Sequence, residues 1–237
     1  MSVDATPPHS VTEFETVQER AGARLVVRAG RTVVADYGSA AGELAACVTA
    51  VGIADCSQLT KLSLDGPPTQ LRSLATQLAG TELAPGGAAF NGGAWWCAEG
   101  AARIVVLCDP RIGHRLAMQL HARVDRRANV TLTDHTDDWA AIAVVGRRAR
   151  DLLSVLGVYG ESGDPRHAAP FTGHTVTGAE LLWLLESDSR AVALMPTDAA
   201  ASVWHAIEHA GQPLGICAVG AEAVARYALL GRTTPGL

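Results

Sequence analysis

Trp96-Cys97-Ala98-Glu99-Gly100-Ala101-Ala102-Arg103-Ile104-Val105-Val106-Leu107 returns as Trp183-Leu184-Leu185-Glu186-Ser187-Asp188-Ser189-Arg190-Ala191-Val192-Ala193-Leu194. Five of the twelve positions are identical, all at one offset of 87 residues. Each copy reads as a β-hairpin: an apolar strand, a turn of small and acidic residues, then an alternating strand. Each hairpin leads into a helix. Asp109-Pro110 is placed to cap the first helix and Thr197-Asp198 the second, by accepting bonds from free first-turn N–H groups. Ile112, Leu116 and Leu120 in one helix, and Ala200, Val203, Trp204 and Ile207 in the other, share a face at helical spacing.

A second matched pair precedes the hairpins. Lys61 to Gly66 alternates and enters a helix with Leu71, Leu74, Ala75 and Leu78 inward. Ala140 to Gly146 does the same ahead of Ala149, Leu152, Leu153 and Leu156. Matching order together with the identities predicts an internal duplication. The fold class expected is α+β, with two βαββαβ-like halves. Residues 1–10 are expected to be a flexible tail and 11–237 one domain, its halves at about 37–134 and 135–230.

Composition narrows the function classes. The chain has 237 residues, enough for a sizeable core, with 48% apolar and 18% charged side chains in an ordinary globular balance. Net charge is −5 and no basic stretch is interleaved with aromatics, so nucleic acid is not expected as a partner. No apolar run nears the ~20 residues that a membrane helix needs, and the start of the chain lacks a signal-peptide core. The five cysteines are dispersed, without a CxxC pair, and are expected as buried free thiols in a reducing cytoplasm.

Further motifs stand in a fixed order. Val51-Gly-Ile-Ala-Asp55-Cys-Ser57-Gln58-Leu59-Thr60-Lys61 runs on to Gly66-Pro67. Gly211-Gln-Pro213-Leu214-Gly215-Ile216-Cys217 precedes a closing helix that starts near Gly220. In this order the chain resembles the folate-binding domain of the glycine cleavage system T protein (aminomethyltransferase), over about Tyr37 to Arg232. The resemblance implies two ferredoxin-like halves arranged in a ring with folate through the middle. It also implies a chain lacking the family's C-terminal barrel, as in the short form similar to the gamma subunit of heterotetrameric sarcosine oxidase.

The resemblance further implies site residues, and here the sequence departs from the family pattern. Asn91 stands where the family carries a catalytic aspartate, and an amide cannot move a proton at neutral pH. Cys108 replaces an asparagine, while the family's pterin-holding glutamate falls near Val192 and its closing arginine near Val219. Asn91, Asp164 and His167 are the candidate catalytic residues. The candidate cofactor contacts are Leu59, Asn91, Trp96, Glu99, Cys108 and Trp183, with tetrahydrofolate the cofactor the family implies. Glu99/Arg103 and Glu186/Arg190 could bind an anion or form cross-strand ion pairs. His205-Ala-Ile-Glu208-His209 has a zinc-motif spacing without a complete ligand set, so no metal is expected. Asp55 and Ser57 could turn the chain as readily as bind. Two functions follow from the resemblance. One is an aminomethyltransferase-like enzyme acting on a one-carbon unit or small amine. The other is a non-catalytic, gamma-like subunit on a larger flavoprotein.

Overall fold

The computed structural model describes residues 13–127, 129–160 and 165–233; the tail expected over residues 1–10 lies outside them. A helix, α1 (Glu13–Arg20), and an arm of two strands, β1 (Arg24–Arg28) and β2 (Arg31–Asp36), come first. Helix α2 (Ala40–Thr49) and strand β3 (Val51–Asp55) lead to the first half. That half is β4 (Thr60–Asp65), α3 (Pro68–Ala79), β5 (Ala88–Asn91), β6 (Ala94–Ala98), β7 (Arg103–Cys108), α4 (Pro110–Val124) and β8 (Thr131–Asp134). The second is β9 (Trp139–Val145), α5 (Ala149–Val155), β10 (Phe171–Val176), β11 (Ala179–Ser187), β12 (Arg190–Pro196), α6 (Ala200–Gly211) and β13 (Ile216–Ala218). Helix α7 (Ala221–Thr233) closes the described chain.

The halves build separate sheets. One runs β5-β6-β7-β4-β8 and the other β10-β11-β12-β9-β3-β13. Register demonstrates the duplication. Lys61 faces Leu107 across β4 and β7, and Ala141 faces Leu194 across β9 and β12. The 80- and 87-residue offsets read from the sequence carry the first pair onto the second. Each half holds one strand more than expected, the edge strands β5 and β10. The short turns Gly92-Gly93 and Thr177-Gly178, with positive φ throughout, fold them back onto the hairpins. Strand β3 breaks the symmetry by wedging between β9 and β13, whereas β8 lies directly on β4. Val51 to Ala54 are buried on both faces, as an interior strand requires.

The sheets pack face to face, with helices outside. Alternation decides which core each side chain joins. Val105 and Leu107 of β7 meet Ala141, Ala143, Val192 and Leu194 between the sheets. Ile104 and Val106 turn outward to Leu71, Leu74 and Leu120 of α3 and α4. The second sheet repeats this, with Ile142, Val144 and Ala193 against α5 and α6. Trp96 and Trp183 occupy matching positions in the two outer cores. Asp109 caps α4 by accepting the Arg111 N–H at 2.9 Å. Thr197 does not cap α6, because its hydroxyl bonds the Asp138 carbonyl at 2.9 Å instead. No helix among the described residues is long and apolar enough to cross a membrane.

Helices α2 and α7 close one margin through a buried carboxylate. Glu43 accepts the Tyr37 N–H at 2.7 Å and the Gly220 N–H at 2.8 Å. Gly220 must lack a side chain, since a Cβ there would stand 2.2 Å from the Ala35 carbonyl oxygen. Glu43→Ala should therefore cost about 1–3 kcal/mol for each N–H left unpaired. Urea unfolding measures this, and a change within ±0.5 kcal/mol would show that the margin holds without that carboxylate.

Candidate functional site

The polar centre of the molecule is where the chain crosses from one sheet to the other, twice and side by side. The first crossing is Cys56 to Leu59, from β3 to β4, and the second is His135 to Asp138, from β8 to β9. Asp55 accepts the Ser57 N–H at 2.8 Å, which turns the chain. The Ser57 hydroxyl oxygen accepts the Ala141 N–H at 3.1 Å, tying the turn to β9. Lys61, the single lysine of the chain, is fully buried, and its Nζ donates to the Ser57 carbonyl at 2.6 Å. Its backbone takes part as well, donating N–H to Thr136 Oγ1 at 3.1 Å and accepting the His135 N–H at 2.8 Å. Burial raises the Asp55 pKa, opposed by the Ser57 hydrogen bonds.

Lys61, Ser63 and Asp65 alternate with the outward Leu62 and Leu64, so all three polar side chains share the inter-sheet face. The Ser63 hydroxyl donates to Asp65 Oδ2 at 2.9 Å, and Ser63 Oγ lies 3.0 Å from His135 Nε2. A hydroxyl has one proton, and Asp65 takes it, so Nε2 is the donor to Ser63. The order Asp–Ser–His thus leaves the buried serine without a general base, and the relay serves to orient the imidazole. His135 stacks on Trp139 with centroids 4.3 Å apart and planes 6° apart. Burial lowers the His135 pKa and the nearby Arg103 charge lowers it further, favouring the neutral ring.

Arg103 completes the cluster, donating from Nε to Asp65 at 2.6 Å and lying 3.6 Å from Glu99. Glu99, Arg103, Trp139, Thr175, Glu180 and Leu182 line a cleft of about 620 Å³ between the sheet margins. With both charge signs and an aromatic wall, it suits a small polar or zwitterionic molecule. The duplicate pair, Glu186 and Arg190, is more deeply set at 2.9 Å. Burial raises the Glu186 pKa, with Arg190 opposing.

The other sequence candidates are placed elsewhere. Asn91 turns to the helix side of β5, where its Nδ2 donates to the Leu78 carbonyl at 2.8 Å. Its amide holds the end of α3 and does not face the inter-sheet space. Trp96 and Trp183 are core residues on those same outer faces. Cys108 is buried on the helix side beside Thr60, its pKa pushed up to about 11 by burial. His167 is exposed in a turn at Pro165–His167, and Asp164 lies outside the described residues. Of the candidate contacts, Leu59 and Glu99 adjoin the inter-sheet space. Lys61, Ser63, Asp65 and His135 were not among the sequence candidates. Their signal was there, in polar residues alternating with leucines and in a sole lysine among arginines.

The residues between the sheets do not fit a pterin held in the family's manner. Val192, near which the resemblance places a glutamate, packs with Cys97, Val105, Leu107, Leu184 and Leu194 in a closed core. No family model matches the chain, and no curated protein matches it in sequence. Solved structures share its fold. The glycine cleavage system aminomethyltransferase T from Bartonella henselae aligns with a TM-score of 0.74 at 14% identity, over 93% of this chain. This chain spans 62% of that protein's length. A chain of the heterotetrameric sarcosine oxidase from Corynebacterium sp. U-96, in complex with pyrrole 2-carboxylate, aligns with a TM-score of 0.57 at 16% identity. That match covers 76% of this chain and 95% of the other. The fold is thus T-protein-like.

Burial has a pH consequence. It pushes the Lys61 pKa down to about 8 from an ordinary 10.5. Between those values the unfolded chain holds more protons than the folded one, so this residue's contribution to stability rises with pH through that window. The stability of the wild type minus that of Lys61→Met should rise by on the order of 3 kcal/mol across it. Urea unfolding at a series of pH values measures this, and a flat difference would contradict a buried, weakly basic amine.

Proposed function

We propose that this chain is a non-catalytic, gamma-like subunit that packs on a larger flavoprotein of the sarcosine or amine oxidase type. The observation that carries this reading is the closed apolar core around Val192, where a folate-using relative would need a hollow and a carboxylate. Asn91 supports it, since its amide is committed to the Leu78 carbonyl. So does the assembly in which the similar sarcosine oxidase chain occurs, a heterotetramer. Cytoplasmic residence belongs to the same reading, on the strength of five unpaired thiols.

A second reading keeps the chain an aminomethyltransferase-like enzyme acting on a one-carbon unit or small amine. The polar cleft favours it. Neutral His135 is then a base beside Trp139, and Arg103 with Glu99 orients a small charged substrate. Tetrahydrofolate would have to bind outside the closed core.

Calorimetric titration with tetrahydrofolate and its 5-formyl form separates the two readings. The subunit reading expects no saturable heat. It also expects a stable, flavin-coloured complex on co-expression with the flavin-binding subunits of an amine oxidase from the same organism. Saturable folate binding that falls about tenfold or more in Arg103→Ala would overturn it in favour of the enzyme.

A further inference from the structure

The duplication supplies an internal comparison between the outer helices α4 and α6. At the 87-residue offset, the inward Leu116 and Leu120 of α4 become Val203 and Ile207 of α6, apolar in both copies. The solvent faces have diverged. Arg111 and Arg115 stand where the second half has Asp198 and Ser202, and α6 holds neither lysine nor arginine. Arg111, Arg115, Met118, Ala122 and Arg126 follow one another at spacings of four, three, four and four, and all are exposed, so they form one stripe. From Asp109 to Arg127 there are five arginines and two aspartates, in a chain whose net charge is −5.

The fold gains little from the N-terminal part of this stripe. Arg111 and Arg115 sit in the first two turns, where the helix dipole disfavours a cation, and as an i,i+4 pair they repel each other. Arg111 is answered by the capping Asp109 at 2.8 Å, but Arg115 has no hydrogen-bond or ion-pair partner among the described residues. Arg126, by contrast, has a local use, donating from Nε to the Ala122 carbonyl at 2.9 Å. Between them Met118 is 61% exposed. The α6 copy shows that this geometry needs no arginine, and a local cost that the fold does not recover marks residues kept for another purpose.

Guanidinium forks pair bidentately with carboxylates, and arginine and methionine are enriched where proteins meet. A nucleic acid fits less well: α4 has no Phe, Tyr or Trp on which a base could stack, and the acidic remainder of the chain opposes a polyanion. One exposed methionine is too little apolar surface to enter a bilayer.

We propose that the solvent face of α4 is the docking surface for the larger flavoprotein subunit, which presents carboxylates to Arg111 and Arg115 around an apolar contact with Met118. This rests on the subunit reading above and adds to it the face used and the charge of the partner.

Arg115→Glu tests it. The variant removes the repulsion from Arg111 and puts an acid near the helix N-terminus, so the isolated chain should melt no lower than the wild type. On co-expression with the flavin-binding subunits of an amine oxidase from the same organism, it should weaken the flavin-coloured complex about tenfold or more, by an amount that shrinks as salt is raised. Arg150→Glu, on α5 in the other half, should leave the complex unchanged. Should Arg115→Glu melt lower, Arg115→Ala decides, with an expected weakening of about threefold or more. Full affinity in the Arg115 variants would overturn the docking face and leave the subunit reading standing. No complex with the wild-type chain would overturn both. The docking face would also fall if the wild-type chain dimerised alone and Arg115→Glu made it monomeric, or if Arg115 carried tight binding to a DNA duplex or to phosphatidylserine vesicles.

Discussion

Two neighbouring strand crossings carry the backbone through the interior, and their polar groups must be satisfied there. The chain's one lysine does much of this, bridging the first crossing by its side chain and the second by its backbone. An ammonium suits the place better than a guanidinium: it is compact, sits on a slim stem, and can point a single proton at one carbonyl. From that knot the rest follows. Asp55 and Ser57 set the direction of the turn, Thr136 and His135 pin the return crossing, and the two sheets meet at a fixed spacing. The apolar residues between them then interdigitate as a core.

Much of the architecture was legible because duplication leaves two independent readings of one pattern. The hairpins around Glu99 and Glu186, the four helices that follow the matched strands, and the closing helix all lie where periodicity puts them. Strands β5 and β10 escaped because Ala88–Asn91 and Phe171–Val176 lack a run of alternating apolar side chains. Their pairing comes from turn geometry at the preceding and following glycines rather than from hydrophobic pattern. Thr197 looked like a cap because of its residue type. Its hydroxyl was claimed by the Asp138 carbonyl, a long-range partner that no local reading reveals.

The site was less legible for a related reason. Asn91 and Cys108, which stand at positions of the T-protein family's site, face the helices. A side chain's face in a sheet is set by parity, and counting from Leu62 and Leu64 would have placed Lys61, Ser63 and Asp65 inward. The two Glu/Arg hairpins show how copies diverge under one geometry. In one, Arg103 reaches Asp65 and joins a polar network. In the other, the equivalent of Asp65 is Val145, and Arg190 pairs with Glu186 at 2.9 Å.

The sequestered lysine has a practical bearing on how this protein's contacts can be mapped. Eighteen of its nineteen basic side chains are arginines, and the remaining amine is packed between two sheets. Acylating labels and lysine-directed cross-linkers therefore meet a surface with no side-chain amine to modify. Footprints and tethers on this molecule can instead be built through its carboxylates or guanidinium groups.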